Sequence, residues 1–219
     1  MNKKIYKRYI IHPEGWRFAI IFLIISILFS YLFPAISSIG YLLTLFTLWF
    51  FRDPERDIPV DVNSVISSAD GKVCLIDEAY PPKEVLASQE KMKRVCVFMN
   101  VFNVHINRSP VSGIVKDIVY KEGKFLNASL DKASEQNERS SLIISSSKGP
   151  EIIVVQIAGL IARRILSFIS NNHNLEQGER FGLIRFGSRV DIYMPLEVII
   201  KCSVGDKVTA GESVLASFK

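Results

Sequence analysis

Asp70, His105 and Ser188 stand in chain order with the residue types that nucleophilic chemistry uses, and Ser188 follows a glycine within GERFGLIRFGSRVDIYMP, Gly178 to Pro195. Gly187 has no Cβ, so its peptide can twist and its carbonyl can be approached closely. Arg185 and Arg189 flank the pair, and an alternating strand pattern begins at once after it. This arrangement suits a chain that cuts itself at the 187–188 bond. Viewed singly the parts are ordinary: Gly-Ser is a common turn or strand-edge pair, and Asp70-Gly71 in SSADGKV is a common turn. A serine hydrolase would use the same three residue types. Gly187-Ser188-Arg189-Val190, however, lacks the second glycine of a G-x-S-x-G elbow.

The chain has three histidines. His12 in YIIHPEGW and His173 in SNNHNLEQG lie in interfacial or polar surroundings. His105 follows the apolar run RVCVFMNV and precedes Asn107-Arg108-Ser109-Pro110, where a buried strand ends and the chain turns. It is the histidine placed to act as a base in the soluble core, with a satisfied structural histidine as the competing reading. Cys74, Cys96 and Cys202 are widely spaced and form no CxxC pair, so they read as reduced residues belonging neither to a disulfide framework nor to a zinc site.

The elements that must position these residues are mostly strands. Lys72–Ile76, Arg94–Val101, Gly113–Tyr120, Glu151–Ala158, Val190–Met194 and Val198–Cys202 are short and β-branched, with turn residues between them. LIARRILSFI predicts one helix over Gly159–Ile169. Lys124 to Arg139 reads as a long polar loop, of the kind that is functional or solvated. The expected class is mainly β (α+β). CSVGDKVTAGESVLASF, Cys202 to Phe218, suggests a flattened β-sandwich resembling lipoyl and biotinyl carrier folds. Asp131-Lys132-Ala133 has the form of a carrier lysine tip but lies in the polar loop, so the likeness is one of fold. A membrane-tethered carrier module is the alternative, and it predicts an intact chain.

The net charge of +5 is an end effect. Residues 1–17 hold five basic residues against Glu14, whereas residues 52–219 hold 22 basic and 21 acidic residues, which leaves no stripe for nucleic acid. Phe18 to Phe51 has no charged residue over 34 positions, and Pro34 divides it into halves of 16 and 17 residues. Each half reaches roughly 24 to 26 Å, against a hydrocarbon thickness of about 30 Å. A two-span hairpin and a re-entrant hairpin both fit. The run is too long for a cleaved signal peptide and ends in no small-x-small site. Basic residues before it (Lys3, Lys4, Lys7, Arg8) and after it (Arg52, Arg56) put the soluble part on the cytoplasmic face of the cell membrane. The expected organisation is a basic segment over 1–17, a membrane-associated hairpin over 18–51 and a catalytic domain over 52–219.

The segments FFRDPER (Phe50 to Arg56), SADG (Ser68 to Gly71), FNVHINRSPVSG (Phe102 to Gly113), NASLDKASEQNER (Asn127 to Arg139), VVQIAGLIARRI (Val154 to Ile165), GERFGLIRFGSRVDIYMP and VGDKVTAG (Val204 to Gly211) run through nearly all of the soluble chain. Together they resemble the phosphatidylserine decarboxylase proenzymes of the short, membrane-associated type. Many longer members carry Leu-Gly-Ser-Thr where this chain has Phe186-Gly187-Ser188-Arg189, a difference of subtype that retains the glycine and serine. The resemblance implies a pyruvoyl enzyme of phospholipid biosynthesis, with no metal and no pyridoxal phosphate. Ser188 Oγ attacks the Gly187 carbonyl, with His105 as base oriented by Asp70. β-Elimination then leaves residues 1–187 and 188–219 as a heterodimer, the second chain headed by a pyruvoyl group. That group forms a Schiff base with the amine of phosphatidylserine, carbon dioxide departs, and phosphatidylethanolamine is released. Arg163, Arg164, Arg185 and Arg189 are candidates for meeting the lipid phosphate or the serine carboxylate. A membrane phospholipid substrate also gives the hairpin a purpose, since extracting acyl chains costs about 0.8 kcal/mol per CH₂.

Overall fold

Two prolines open two helices, because proline's fixed φ suits the first helical position and its missing N–H is not needed there. The computed structural model describes residues 10–31, 33–85, 90–126, 136–159, 164–185 and 188–219. Helix α1 spans Pro13–Ser30 and α2 spans Pro34–Phe50. α1 thus begins five residues ahead of the charge-free run and takes in Glu14 and Arg17. His12 caps it, its Nδ1 accepting from Glu14 N at 3.3 Å. By length and composition α1 is apolar and long enough to cross a membrane. Ile20, Ile21, Ile24 and Leu28 are exposed along it. Ser26, Ser37, Thr44 and Thr47 are buried, and each hydroxyl donates to a carbonyl of its own helix at 2.6–2.9 Å. Polar groups satisfied in this way need no water. Gly40 leaves room for Ser26, whose Oγ a Cβ there would overlap. The chain entering α1 meets the chain leaving α2: His12 N donates to Phe51 O and Asp53 N to Ile10 O, both at 2.9 Å. This unit ends at Glu55.

From Arg56 the chain forms a separate, mainly β unit. Its strands are β1 Ser64–Ile66, β2 Gly71–Ala79, β3 Met92–Met99, β4 Ile106–Arg108, β5 Gly113–Lys121, β6 Arg139–Ser146, β7 Glu151–Ala158, β8 Ile165–Ser167, β9 Asn174–Leu175, β10 Arg180–Ile184, β11 Ser188–Met194, β12 Ile199–Ile200, β13 Lys207–Val208 and β14 Val214–Ser217. Eight of them make one sheet in the order β13-β2-β3-β11-β7-β6-β5-β9, and two three-stranded sheets, β1-β14-β12 and β4-β10-β8, complete the fold. All pairings between named strands are antiparallel.

Strand β11 lies at the centre of the large sheet and every one of its residues is buried. Successive side chains point to opposite faces. Val190, Ile192 and Met194 join a core with Val97, Met99, Val154 and Ala158, while Tyr193 joins Ile143, Ile153, Val155 and Ile157. Both faces are therefore covered, and strands covered on both faces lose the simple apolar-polar alternation.

Three expectations are corrected. The helix predicted over Gly159–Ile169 is not formed at Ile165–Ser167, which is strand β8 paired with β10; residues 160–163 lie outside the described set. Sheet pairing overrides local helical periodicity there. Residues 139–146, the first of them assigned to the end of the polar loop, form the buried strand β6 between β5 and β7. Val198–Cys202 contracts to the two residues of β12. Residues 127–135, with the Asp131-Lys132-Ala133 tip, lie outside the described set.

Candidate active site

Ser188 is the first residue of β11, opposite Met99 at the end of β3 and Ala158 at the end of β7. It is completely buried, and its hydroxyl donates to Met99 Sδ at 3.4 Å. A thioether is a weak acceptor, so this hydroxyl is loosely held. Phe186 and Gly187 lie outside the described residues.

His105 ends the loop that joins β3 to β4. A turn shapes this loop: Asn100 N donates to Asn103 Oδ1 at 2.9 Å, Phe102 N to Asn100 Oδ1 at 2.8 Å, and Asn103 N to Asn100 O at 3.1 Å. The His105 ring is fully buried, with Nδ1 2.9 Å from Asn103 O. A carbonyl only accepts, so Nδ1 carries the hydrogen, and in the neutral tautomer the lone pair then lies on Nε2. Ile184 N donates to His105 O at 3.3 Å, and Ile106 pairs with Leu183. The stretch from Met99 to His105 is thereby held at both ends, to Ser188 at one and to the strand preceding it at the other.

Asp70 has different partners from those expected. Its carboxylate accepts from Arg56 Nη2 at 2.9 and 2.8 Å and from Ala210 N at 2.8 Å. Among the described residues it makes no hydrogen bond to His105, whose orientation comes from Asn103 O instead. The Asp70 loop reaches the histidine strand through Ser68 O, which accepts from Arg108 N at 3.0 Å and from Asn107 Nδ2 at 3.3 Å. Arg108 Nη1 in turn donates to Gly178 O at 3.0 Å. Arg56 at the end of FFRDPER and residues of SADG, HINRSP, GERF and VTAG thus converge on one cluster although they are scattered along the chain.

Sequence reasoning missed the roles of Asn107 and Gln156. Both are buried, and Gln156 Nε2 on β7 donates to Asn107 Oδ1 on β4 at 2.8 Å, while Asn107 Nδ2 lies 3.8 Å from Met99 Sδ. Gly182 makes room for this amide, since a Cβ there would stand 2.7 Å from Leu166 O and 2.8 Å from Gln156 Nε2. The available signal was a lone amide inside the apolar run EIIVVQIA. Asn137 was also missed: its amide donates to Ala158 O at 2.7 Å and to Leu126 O at 2.8 Å, tying the edge of the polar loop to the residue opposite Ser188.

The four arginines separate. Arg163 lies outside the described residues. Arg164 is exposed and Arg185 half-buried, and Arg185 N donates to Arg164 O at 3.3 Å, which sets the two side by side at the end of β8 and β10 nearest Ser188. Arg189 does not belong with them. Its guanidinium grips Asp191 at 2.6 and 2.7 Å, and the two side chains are 1% and 0% exposed. Asp191 also lies 3.8 Å from Arg94 Nη1, and Arg94 forks onto Asp77 at 2.8 and 2.6 Å. Burial alone would lower the Arg189 and Arg94 pKa values, but the hydrogen bonds they donate to Asp191 and Asp77 hold both above the ordinary value. Burial, reinforced by Asp191, pushes the Cys96 thiol up. Strand alternation points Arg189 away from the Ser188 face. No cluster of three or more His, Cys, Asp or Glu able to hold a metal occurs among the described residues.

The family model for phosphatidylserine decarboxylase matches residues 43–216, a stretch that includes Asp70, His105 and Ser188 and nearly all of the strand-forming unit. The chain belongs to the phosphatidylserine decarboxylase family and is a decarboxylase of phospholipid synthesis.

Proposed function

We propose that the chain is a proenzyme that cuts itself between Gly187 and Ser188, turns Ser188 into a pyruvoyl group, and then converts phosphatidylserine to phosphatidylethanolamine and carbon dioxide at a membrane surface. The observation that carries this reading is the setting of Ser188: fully buried at the head of the central strand, with a hydroxyl bonded to a thioether. His105, with its tautomer fixed by Asn103 O, stands at the same end of the fold.

In self-cleavage Ser188 Oγ attacks the Gly187 carbonyl carbon and His105 Nε2 takes the hydroxyl proton. The acyl group moves from nitrogen to oxygen. Loss of the Ser188 Cα proton then breaks the Cβ–Oγ bond, leaving a Gly187 carboxylate and a dehydroalanine at 188. Water replaces nitrogen at that Cα and ammonia leaves. A positioned base of this kind contributes about 10² to 10⁴ in rate. Asp70 acts as a positioning residue, since it fixes the loop that carries Ser68 against β4. The pyruvoyl group, once formed, supplies the electron sink for decarboxylation. Arg164 and Arg185 meet the anionic head group by charge-assisted hydrogen bonds.

Residues 188–219 contain β11 to β14, of which β11 pairs with β3 and β7, β13 with β2 and β14 with β1 of the longer fragment. The Ala210 N–H to Asp70 bond adds a further tie. The two chains therefore remain one folded heterodimer. The domain boundaries we propose are a basic segment over 1–17, a hairpin over 18–51 and a catalytic domain over 52–219 on the cytoplasmic face. The joined ends of α1 and α2 support an even number of crossings or a re-entrant path. Arg52 stacks over the Trp49 ring at 3.8 Å, a pairing suited to the membrane interface.

The test is Ser188→Ala in the full chain, assayed by gel electrophoresis and by phosphatidylethanolamine formation. An uncut, inactive precursor is expected. A Ser188→Ala chain that still cleaves, or an uncut wild type whose Ser188 takes a fluorophosphonate label, would overturn the proposal.

A further inference from the structure

From the Ser188 end of the large sheet we infer that the catalytic domain itself docks on an anionic bilayer through an aromatic and cationic rim led by Phe102. This rests on the reading above, because a bilayer-borne lipid gives the rim its partner.

Phe102 sits in the turn between Met99, which pairs with Ser188, and His105, yet it is 64% exposed. The Asn100 and Asn103 hydrogen bonds described above fix the backbone of the turn that carries this ring. Tyr120, 50% exposed, stands at the same end of the sheet, since it pairs with Ser140, which faces Gln156 and then Val190. Arg164 acts electrostatically on its hydroxyl. Lys124 is exposed, and its neighbour across the chain, Asn137, bonds to Ala158 O beside Ser188.

Two exposed aromatic rings suit the boundary between head groups and acyl chains. Lys124, Arg164 and Arg185 accompany them, against the exposed Glu122 and a Glu138 buried beside Tyr120. A net positive rim around apolar rings complements a surface of anionic lipid. Placed there, the buried Ser188 end faces the bilayer from which the substrate must come.

The experiment places a single tryptophan as a depth reporter. Trp16 and Trp49 are the chain's two tryptophans, and both are changed to Phe before Phe102→Trp is introduced. The full chain is reconstituted into vesicles of phosphatidylcholine and phosphatidylglycerol carrying brominated acyl chains, with no serine lipid. Tyr80→Trp is the control, because Tyr80 is 63% exposed and follows the opposite end of β2. The expected result is blue-shifted emission and several-fold stronger bromine quenching at 102 than at 80. Tyr120→Trp gives a second reporter with the same expectation should the first variant fold poorly. Water-like emission at both 102 and 120, or quenching equal to that at 80, would overturn the inference. The readout requires neither cleavage nor turnover and is repeated in Ser188→Ala, so a failed rim and a failed pyruvoyl reading give separate results.

Discussion

Replacing Asp191 by Leu tests whether the Arg189–Asp191 fork is an interior brace or a spare surface pair. The two side chains are 1% and 0% exposed and meet at 2.6 and 2.7 Å. Removing one partner strands a buried guanidinium, which costs about 3–5 kcal/mol. Arg94 keeps its fork on Asp77, so the loss centres on Arg189. For a domain of this size each kcal/mol shifts the melting temperature by about 2–4 °C, so a drop of roughly 6–20 °C is expected. The double change Arg189→Met with Asp191→Leu should regain most of that loss, because replacing both members of a buried pair is close to neutral. Near-ultraviolet circular dichroism of the detergent-solubilised chain follows the transition. A single-variant drop below about 1 kcal/mol, the value of an exposed pair, would refute the reasoning, as would a double variant no more stable than the single one.

Gln156→Leu leaves the buried Asn107 Oδ1 without its donor and should destabilise by about 1–3 kcal/mol, read as a lower melting temperature, with slower self-cleavage on a time course. Arg164→Ala should raise KM for serine-lipid vesicles by about tenfold, the equivalent of 1.4 kcal/mol, while precursor processing stays at the wild-type rate; unchanged KM would remove Arg164 from head-group binding. Burial by itself would raise the Glu84 carboxyl, but the hydrogen bond and charge of Arg139, helped by Lys121, hold it below its ordinary value of 4.5. Its stabilisation is therefore complete above that value and is lost as pH falls through the lowered folded value, so Glu84→Gln should lose less stability than wild type over that acid range. Cys96, buried and with its thiol pushed up by burial and Asp191, should resist maleimide at neutral pH in the native protein and react only on unfolding.

The sheet strands nearest the site were legible because β-branched runs between turn residues need no partner to be recognised. Glu151–Ala158 is strand β7 as read, and β11 starts at Ser188. The face each residue takes was less legible, since β11 is covered on both sides and its Arg189 looks, in sequence, like a surface cation. Ile165–Ser167 illustrates a second limit: its helical spacing is local, whereas its pairing with β10 is not. The same holds for the site. Asp70 and Ala210 are 140 residues apart and Gln156 and Asn107 are 49 apart, and residue types alone do not reveal such bonds. Chain order suggested an Asp, His, Ser relay, but the folded backbone supplies a carbonyl, Asn103 O, to the His105 ring.

Intact-mass measurement of the purified wild-type chain, in a preparation actively releasing carbon dioxide from phosphatidylserine, tests the central claim most directly. The account predicts two species, residues 1–187 and 188–219, the smaller one lighter by one ammonia than the same peptide with a free serine end. A single species of 24.7 kDa in that active preparation would contradict it.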